Sequence, residues 1–390
     1  MLQRSLRIRN SLDHPTATLL ITAAAYLIFI GFRLAFHSFD PSVFITAGDK
    51  LCDPGLVPDK VSILENSYGY DGQFYYRLAL DPFTSKAFDF GVLLDTPQYR
   101  HQRILYPFVV WLFSFGNAES VPFLMIAVNF AALCLMGWFG GAYAKTMDRH
   151  ALWGLVFSLS PGLILSLARD LTEILEICLL LGGLLFIRKG KNLLATFFLT
   201  LAVLTKETAL VMTVGIFFSY IISKWKDGCT NQIKWFLFGV PVLSYCIWQT
   251  LLFLNWQQFP ALSGNNQVGF PFVGMINFVI SNLSLKTIIQ GFFLGELLFI
   301  MFFALCVILS FGSSSAWLHE KYAWIAYGAL MVILTDAIWV EDWGFFRALS
   351  DFFILGWVII LSSESRGRMP IFVCSIALWL AVSCVRVCFV

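Results

Sequence analysis

Asp71 stands in the run Tyr70-Asp71-Gly72-Gln73-Phe74-Tyr75-Tyr76-Arg77, which continues to Asp81-Pro82. A carboxylate here could remove a proton from a hydroxyl, and the glycine after it permits close approach of a ligand or a tight turn. The position also suits the N-cap of a helix, which would leave the carboxylate exposed. A second group, Asp95-Thr96-Pro97-Gln98-Tyr99-Arg100-His101-Gln102-Arg103, sets two guanidiniums before an apolar run. Such forks match phosphate oxygens, and they also serve as interfacial anchors. In the third, Arg169-Asp170-Leu171-Thr172-Glu173-Ile174-Leu175-Glu176, the two glutamates share a helix face, and Arg169 is spaced to pair with Glu173. The fourth, Thr205-Lys206-Glu207-Thr208, interrupts an apolar stretch. Lys206 could hold a phosphate there, or the segment could be a short polar turn. Glu341, Asp342 and Arg347 form a smaller set of the same kind, with Asp336 before it.

These groups matter because of what surrounds them. Apolar residues make up 58% of the chain and charged residues 13%, against about 25% charged in soluble domains. A chain of 390 residues cannot bury that much apolar surface in a core of its own, so lipid must cover it. An ionisable side chain at the middle of a membrane helix costs roughly 3 kcal/mol on insertion scales, which makes each such residue a functional candidate. The 40 Phe and 13 Trp suit membrane interfaces and the walls of lipid or sugar pockets. Lys and Arg fall in short clusters between apolar runs, with no face for nucleic acid. Cys134, Cys178, Cys246, Cys306, Cys374 and Cys384 lie in apolar runs, and Cys52 is alone in the long polar loop, so no disulfide framework is expected. His14, His37, His101, His150 and His319 are not paired at ligand spacing, and no CxxC or HExxH occurs. No metal ligands are assigned, although a divalent metal stays open as a cofactor.

The apolar runs predict an all-α polytopic membrane protein of about eleven transmembrane helices in one transmembrane domain over 1–390. They fall at about 18–36, 119–144, 150–168, 171–188, 191–205, 208–223, 234–254, 286–311, 320–339, 344–361 and 370–389. Arg4, Arg7 and Arg9 place the N-terminus in the cytoplasm. Basic residues then mark Lys145–His150, Arg188–Lys191, Lys224–Lys234, His319–Lys321 and Ser362–Arg368 as cytoplasmic turns. The long loop 37–118 and a second loop 255–285 face the other side, with all four polar groups. Ile104–Phe115 is too short to span and reads as an interfacial helix. Cys52 should be reachable from outside and Cys229 should not. Asn282-Leu-Ser is a glycosylation sequon, meaningful only in a eukaryotic source. The expected location is the bacterial inner membrane.

The order of features resembles the GT-C superfamily of integral membrane glycosyltransferases, which includes protein O-mannosyltransferases, bacterial aminoarabinose transferases and the mannosyltransferases of glycolipid-anchor assembly. The likeness covers about residues 15–225. It rests on Tyr70-Asp71-Gly72-Gln73-Phe74-Tyr75, on the interfacial helix with Arg and Pro, on Ser160-Pro161-Gly162, on Arg169-Asp170 with Glu173, on Arg188-Lys189-Gly190-Lys191 and on Leu204-Thr205-Lys206. The superfamily often has two acids close together in the first loop, whereas here Asp81 follows Asp71 only at a distance.

The resemblance implies a polyprenyl-phosphate sugar donor held in the bilayer and a lipid, glycan or protein acceptor. Asp71 would be the general base. Arg100, Arg103 and Lys206 would bind the donor phosphate, and Arg169, Asp170, Glu173, Gln73, Tyr75 and Glu207 would bind substrate. Two other classes share these features: a multi-span transporter or flippase, and a catalytically inactive GT-C-like partner in glycan export. Inverted repeats would mark a transporter, and none is evident. Convergence of Asp71, Arg103 and Lys206 on one cavity discriminates between them.

Overall fold

A computed structural model describes residues 12–58, 61–227, 233–264, 267–364 and 367–388. Cys229 lies outside the described residues. Helix α1, Pro15–Phe36, begins with Pro15 in its first turn and with the His14 ring accepting from the Thr16 amide. The long loop follows. It folds around three short helices, α2 (Gly72–Leu80), α3 (Pro97–His101) and α4 (Leu105–Ser114), and two small strand pairs. Strand β1 (Ala47–Gly48) pairs in parallel with β2 (Ile63–Leu64), and β3 (Phe88–Asp89) forms a hairpin with β4 (Val92–Leu93). A buried cluster of Ile45, Cys52, Tyr75, Tyr76, Val92, Tyr106 and Leu171 ties this loop to the helices. The loop is therefore a packed cap on the bundle.

Helix α5, Val121–Lys145, packs on α1. The chain then breaks at Ser160-Pro161, because proline has no N–H to continue the ladder but suits a first turn. Helices α6 (Leu155–Ser158) and α7 (Pro161–Ala168) meet there in a bent segment of 48°. Helix α8, Glu173–Arg188, is buried on nearly every side, the pattern of a helix surrounded by others. Helix α9 (Asn192–Thr205) packs on it, and α10 (Leu210–Asp227), α11 (Phe236–Trp256), α12 (Pro260–Ser263) and α13 (Val273–Asn282) follow in the chain. The bundle closes with α14 (Ile288–Phe311), α15 (Leu318–Ile333), α16 (Asp336–Trp339), α17 (Asp342–Ala348), α18 (Ser350–Leu361) and α19 (Arg368–Cys388).

The protein is an all-α membrane protein. Among the described residues, six helices are long and apolar enough to cross a membrane, or eight if the bent pairs α6–α7 and α17–α18 are each one span. Helix α4 stops after ten residues, too short to span, and Leu112, Phe113 and Phe115 are exposed along it. Small residues permit the closest packing: a Cβ on Gly154 would lie 2.1 Å from the Gly141 nitrogen, so α5 and the turn before α6 touch backbone to backbone.

The connecting turns gather at two ends. At one end Arg188 donates to Glu320 at 2.7 Å, Tyr143 donates to the same carboxylate, Arg149 donates to the Leu361 and Ser363 carbonyls, and Lys145 pairs with Asp13. At the other end the long loop meets the turns before α8 and α10 and the start of α17. The cluster Lys145–His150, Arg188–Lys191, His319–Lys321 and Ser362 thus shares one end, opposite Asp71.

Candidate active site

Asp71 occupies the N-cap position of α2, yet its side chain makes no capping bond. The carboxylate turns instead to two guanidiniums. Arg100 Nη1 donates to Oδ1 at 2.9 Å, and Arg347 Nη1 stands 3.5 Å from Oδ2. Burial alone would raise the Asp71 pKa; the charges of Arg100, then Arg347 and Arg103, more than offset it and hold the carboxyl below the usual carboxylate range. Arg100 is itself fixed, donating through Nε and Nη2 to Asp95 at 2.8 Å each and lying 4.2 Å over the Phe74 ring.

The glycine after Asp71 serves backbone packing. A Cβ on Gly72 would lie 2.4 Å from the Arg169 carbonyl oxygen and 2.6 Å from that of Ile45. The start of α2 therefore rests directly on the turn between α7 and α8. That contact sets Asp71 beside Glu173, the first residue of α8.

Glu173 continues the charge network inward. Arg347 Nη1 is 3.3 Å from its Oε1, and Lys206 Nζ is 3.1 Å from the same oxygen. Arg103 forms a fork on Glu207, with Nε at 2.9 Å and Nη2 at 2.5 Å, and also donates to the Tyr75 and Tyr99 hydroxyls. So Arg100, Arg103, Arg347 and Lys206 face Asp71, Asp95, Glu173 and Glu207. Each of these four cations already has a carboxylate, and an incoming anion would have to displace one.

These residues line one cavity of about 470 Å³. Its lining joins the charged side chains Asp71, Arg100, Arg103, Glu173, Lys206, Glu207 and Arg347 to the apolar ones of Val211, Leu330, Met331, Leu334, Ala348 and Phe352, from α10, α15, α17 and α18 and the segment linking α15 to α16. The second loop roofs it. Thr335 donates to the Gln267 carbonyl at 3.0 Å, Gln267 donates to the Tyr99 hydroxyl at 3.0 Å, and Gln98 donates to Gln258 at 2.6 Å.

Four residues expected at the site, Gln73, Tyr75, Arg169 and Asp170, lie outside this cavity. Gln73 accepts from the Gly48 amide at 3.1 Å and donates to the Tyr68 carbonyl at 2.7 Å, bracing the loop. Arg169 does not pair with Glu173; its guanidinium is stacked between Tyr70 at 3.9 Å and Trp343 at 3.5 Å. Asp170 is fully buried with a left-handed φ of 47°, 3.5 Å from the Asn129 amide. Tyr75 meets the site only through Arg103. Cys52 is 2% exposed and its thiol donates to Gln73, so it is shielded from an outside reagent; burial pushes its pKa up to about 11.

Arg347, Asp95, Tyr70 and Asp351 were not assigned from sequence. Asp351 had a signal, as a lone acid opening an apolar run. Among the described residues, no three His, Cys, Asp or Glu side chains form a metal-ligand set. Neither a known protein family nor a curated protein matches the chain.

Proposed function

We propose that this protein is a membrane glycosyltransferase of the GT-C kind, moving a sugar from a polyprenyl-phosphate donor to an acceptor hydroxyl on the non-cytoplasmic face. One observation carries this reading: Asp71, Arg103 and Lys206 share a single cavity whose lining combines a charged set with an apolar one. Such a cavity suits a ligand with a phosphate head and a hydrocarbon tail.

In this mechanism the acceptor oxygen bonds to the anomeric carbon as the bond from that carbon to the phosphate oxygen breaks. The hydroxyl proton passes to Asp71, and the bonding pair leaves with the polyprenyl phosphate. An oxocarbenium-like transition state makes leaving-group stabilisation the larger demand. Arg347 and Lys206 flank Glu173 and can turn to the phosphate as its charge grows. A carboxylate held by two guanidiniums is a weak base, so Asp71 gains basicity as Arg347 or Arg100 shifts toward the phosphate.

We further propose that the chain crosses the membrane about eleven times, with the basic end in the cytoplasm of a bacterial inner membrane. On that count α8, α9 and α15–α16 also cross. Helix α9, at 14 residues, reaches only about 21 Å. Short crossings are tolerable where the ends meet protein cavities and neighbouring helices in place of lipid.

The test is transfer by the purified full chain in liposomes, with polyprenyl-phosphate hexoses and pentoses as donors. Asp71→Asn is expected to abolish transfer while membrane insertion and helicity persist. Full activity in that variant removes Asp71 as the base.

A further inference from the structure

A second cavity, of about 480 Å³, lies across α16 from the charged one. Asp336, Trp339 and Val340 line it, while Ala337 and Ile338 line the charged cavity. Residues three and four apart share a helix face, so this single turn is a wall between the two. The second loop fixes the wall in place. Val268 bridges Leu334, Gly269 donates to the Ile333 carbonyl at 2.8 Å, and Phe272 donates to that of Val332 at 2.6 Å. Helix α13 follows directly and adds Asn277, Ser281 and Asn282 to the lining.

The polar groups here are mostly acceptors. Asn277 Nδ2 donates to both carboxylate oxygens of Asp336, at 3.0 and 3.1 Å. An ionised carboxylate offers about four acceptor positions, so Asp336 keeps others in reserve. Ser281 spends its hydrogen on the Asn277 carbonyl and Asn282 donates to that of Phe278, each at 2.8 Å, which leaves both side-chain oxygens to accept. One donor stands among them. Trp339 is 1% exposed, and its indole Nε1 has no partner among the described residues. A Cβ on Gly274 would lie 2.8 Å from Trp339 Cδ1, the carbon bonded to Nε1, so the N–H edge of the ring comes up against a lining residue that has no side chain. Stacking on Phe345, 5.0 Å away, holds the ring there. A buried donor without an acceptor costs free energy until a group meets it.

Charge narrows the occupant. Among the described residues no Lys, Arg or His lines this cavity, whereas Arg100, Arg103, Arg347 and Lys206 line the charged one. A phosphate head would meet Asp336 with no cation to offset it. Several acceptors around one donor match hydroxyl groups, each of which donates and accepts. Val273, Ile276 and Ile280 are exposed along one side of α13, and Val340 is exposed as well. Ile280 and Val340 also belong to the lining, so the polar recess opens beside apolar surface.

We propose that this cavity binds a neutral, hydroxyl-rich headgroup, such as a sugar, carried on a hydrocarbon chain. Asp336, Asn277 and Ser281 take hydrogens from its hydroxyls, Trp339 donates to one of its oxygens, and the chain lies over Ile280 and Val340. The site rests on this geometry and not on the transfer reaction proposed above.

The experiment measures binding of radiolabelled octyl glucoside, octyl mannoside and octyl galactoside to the full chain in phosphatidylcholine nanodiscs. At least one should bind in excess of nanodiscs without protein. Asp336→Asn, at an exposed position, keeps the shape of the side chain and removes its charge; it should weaken that binding at least about tenfold. Trp339→Phe keeps a ring on Phe345 and removes the N–H; it should weaken it at least about threefold. No binding beyond the empty nanodiscs, or equal binding in native protein and a folded Asp336→Asn variant, overturns the site. Octyl phosphate should not displace the glycoside, and displacement overturns the neutral headgroup. The corresponding methyl glycoside should bind at least about tenfold more weakly than the octyl one. Equal binding of the two makes this a site for a soluble sugar and overturns the hydrocarbon anchor. No donor is present in the assay, so its outcome stands apart from whether the chain transfers sugar.

Discussion

Arg100 Nη1 and Asp71 Oδ1 lie 2.9 Å apart, and the same guanidinium grips Asp95 with its other two donor atoms. Asp71 is thus stabilised as an anion in the folded protein, with a pKa below its ordinary value of 3.8. A carboxyl depressed by folding adds stability above the unfolded pKa and loses it as pH falls through the folded one. The melting temperature in detergent should therefore fall below about pH 4. Asp71→Asn should flatten that acid limb and cost about 1–3 kcal/mol at neutral pH, because Arg347 loses a partner. An acid limb unchanged in the variant would show that Asp71 is not held by these cations.

Gly72→Ala tests how Asp71 is aimed. The added methyl would fall 2.4 Å from the Arg169 carbonyl oxygen, and main chain on both sides leaves it no room to relax. The expected cost is about 1–3 kcal/mol, typical of overpacking. Activity should fall further than stability, since any retreat of α2 carries Asp71 away from Glu173 and Arg347. Equal stability to the parent, measured by thermal unfolding, would contradict the close contact.

Much of this site is legible in the sequence, though not for uniform reasons. Asp71, Arg100, Arg103, Glu173, Lys206 and Glu207 stood out because charge among apolar residues is costly, and they do meet in one cavity. Arg169 and Asp170 stood out by the same rule, Gln73 only through the resemblance, and all three have other work. Charge in an apolar run signals that a partner exists; it does not say whether the partner is a substrate, an aromatic ring or a loop amide. Arg169 found two rings, and Gln73 found the backbone of its own loop. Arg347 was noted but not assigned, because nothing local to Trp343-Gly344-Phe345-Phe346 points toward Asp71, far away in sequence. The helical runs were legible for a simpler reason, since apolar stretches of that length have few alternatives. Breaks such as Ser160-Pro161 decide whether a run is straight or bent by 48°.

Arg103 and Glu207 should behave as one unit. The guanidinium fork on Glu207 is supported by the Tyr75 and Tyr99 hydroxyls, and the Arg103 side chain is 7% exposed. Arg103→Ala is expected to cost about 2–3 kcal/mol, less than a fully dry pair because Glu207 keeps some solvent. Glu207→Gln should cost less, since an amide still accepts from the fork. A double-mutant cycle should give clear coupling, with the double variant less destabilised than the two single losses added together. Additive losses would mean that Arg103 is not committed to Glu207 in the resting protein and stands ready for another anion.

The orientation of the whole site can be checked with introduced cysteines in a chain whose native cysteines are replaced. Cys52 is a poor reporter, because it is buried beneath the loop and bonded to Gln73. Tyr68 is a better position: it sits in the same loop, just before the Asp71 segment, and is 72% exposed. Lys189 is exposed at the opposite end, just past Arg188 and its bond to Glu320. With the basic turns in the cytoplasm, Tyr68→Cys should react with a membrane-impermeant maleimide on intact cells. Lys189→Cys should react only after the membrane is opened. Both positions lie in connecting segments, so neither substitution disturbs a helix core. The reverse pattern would put Asp71 on the cytoplasmic side and remove the proposed non-cytoplasmic transfer. Labelling of both positions in intact cells would mean that the two ends do not lie on opposite faces of the membrane, and the arrangement of spans proposed here would fail with it.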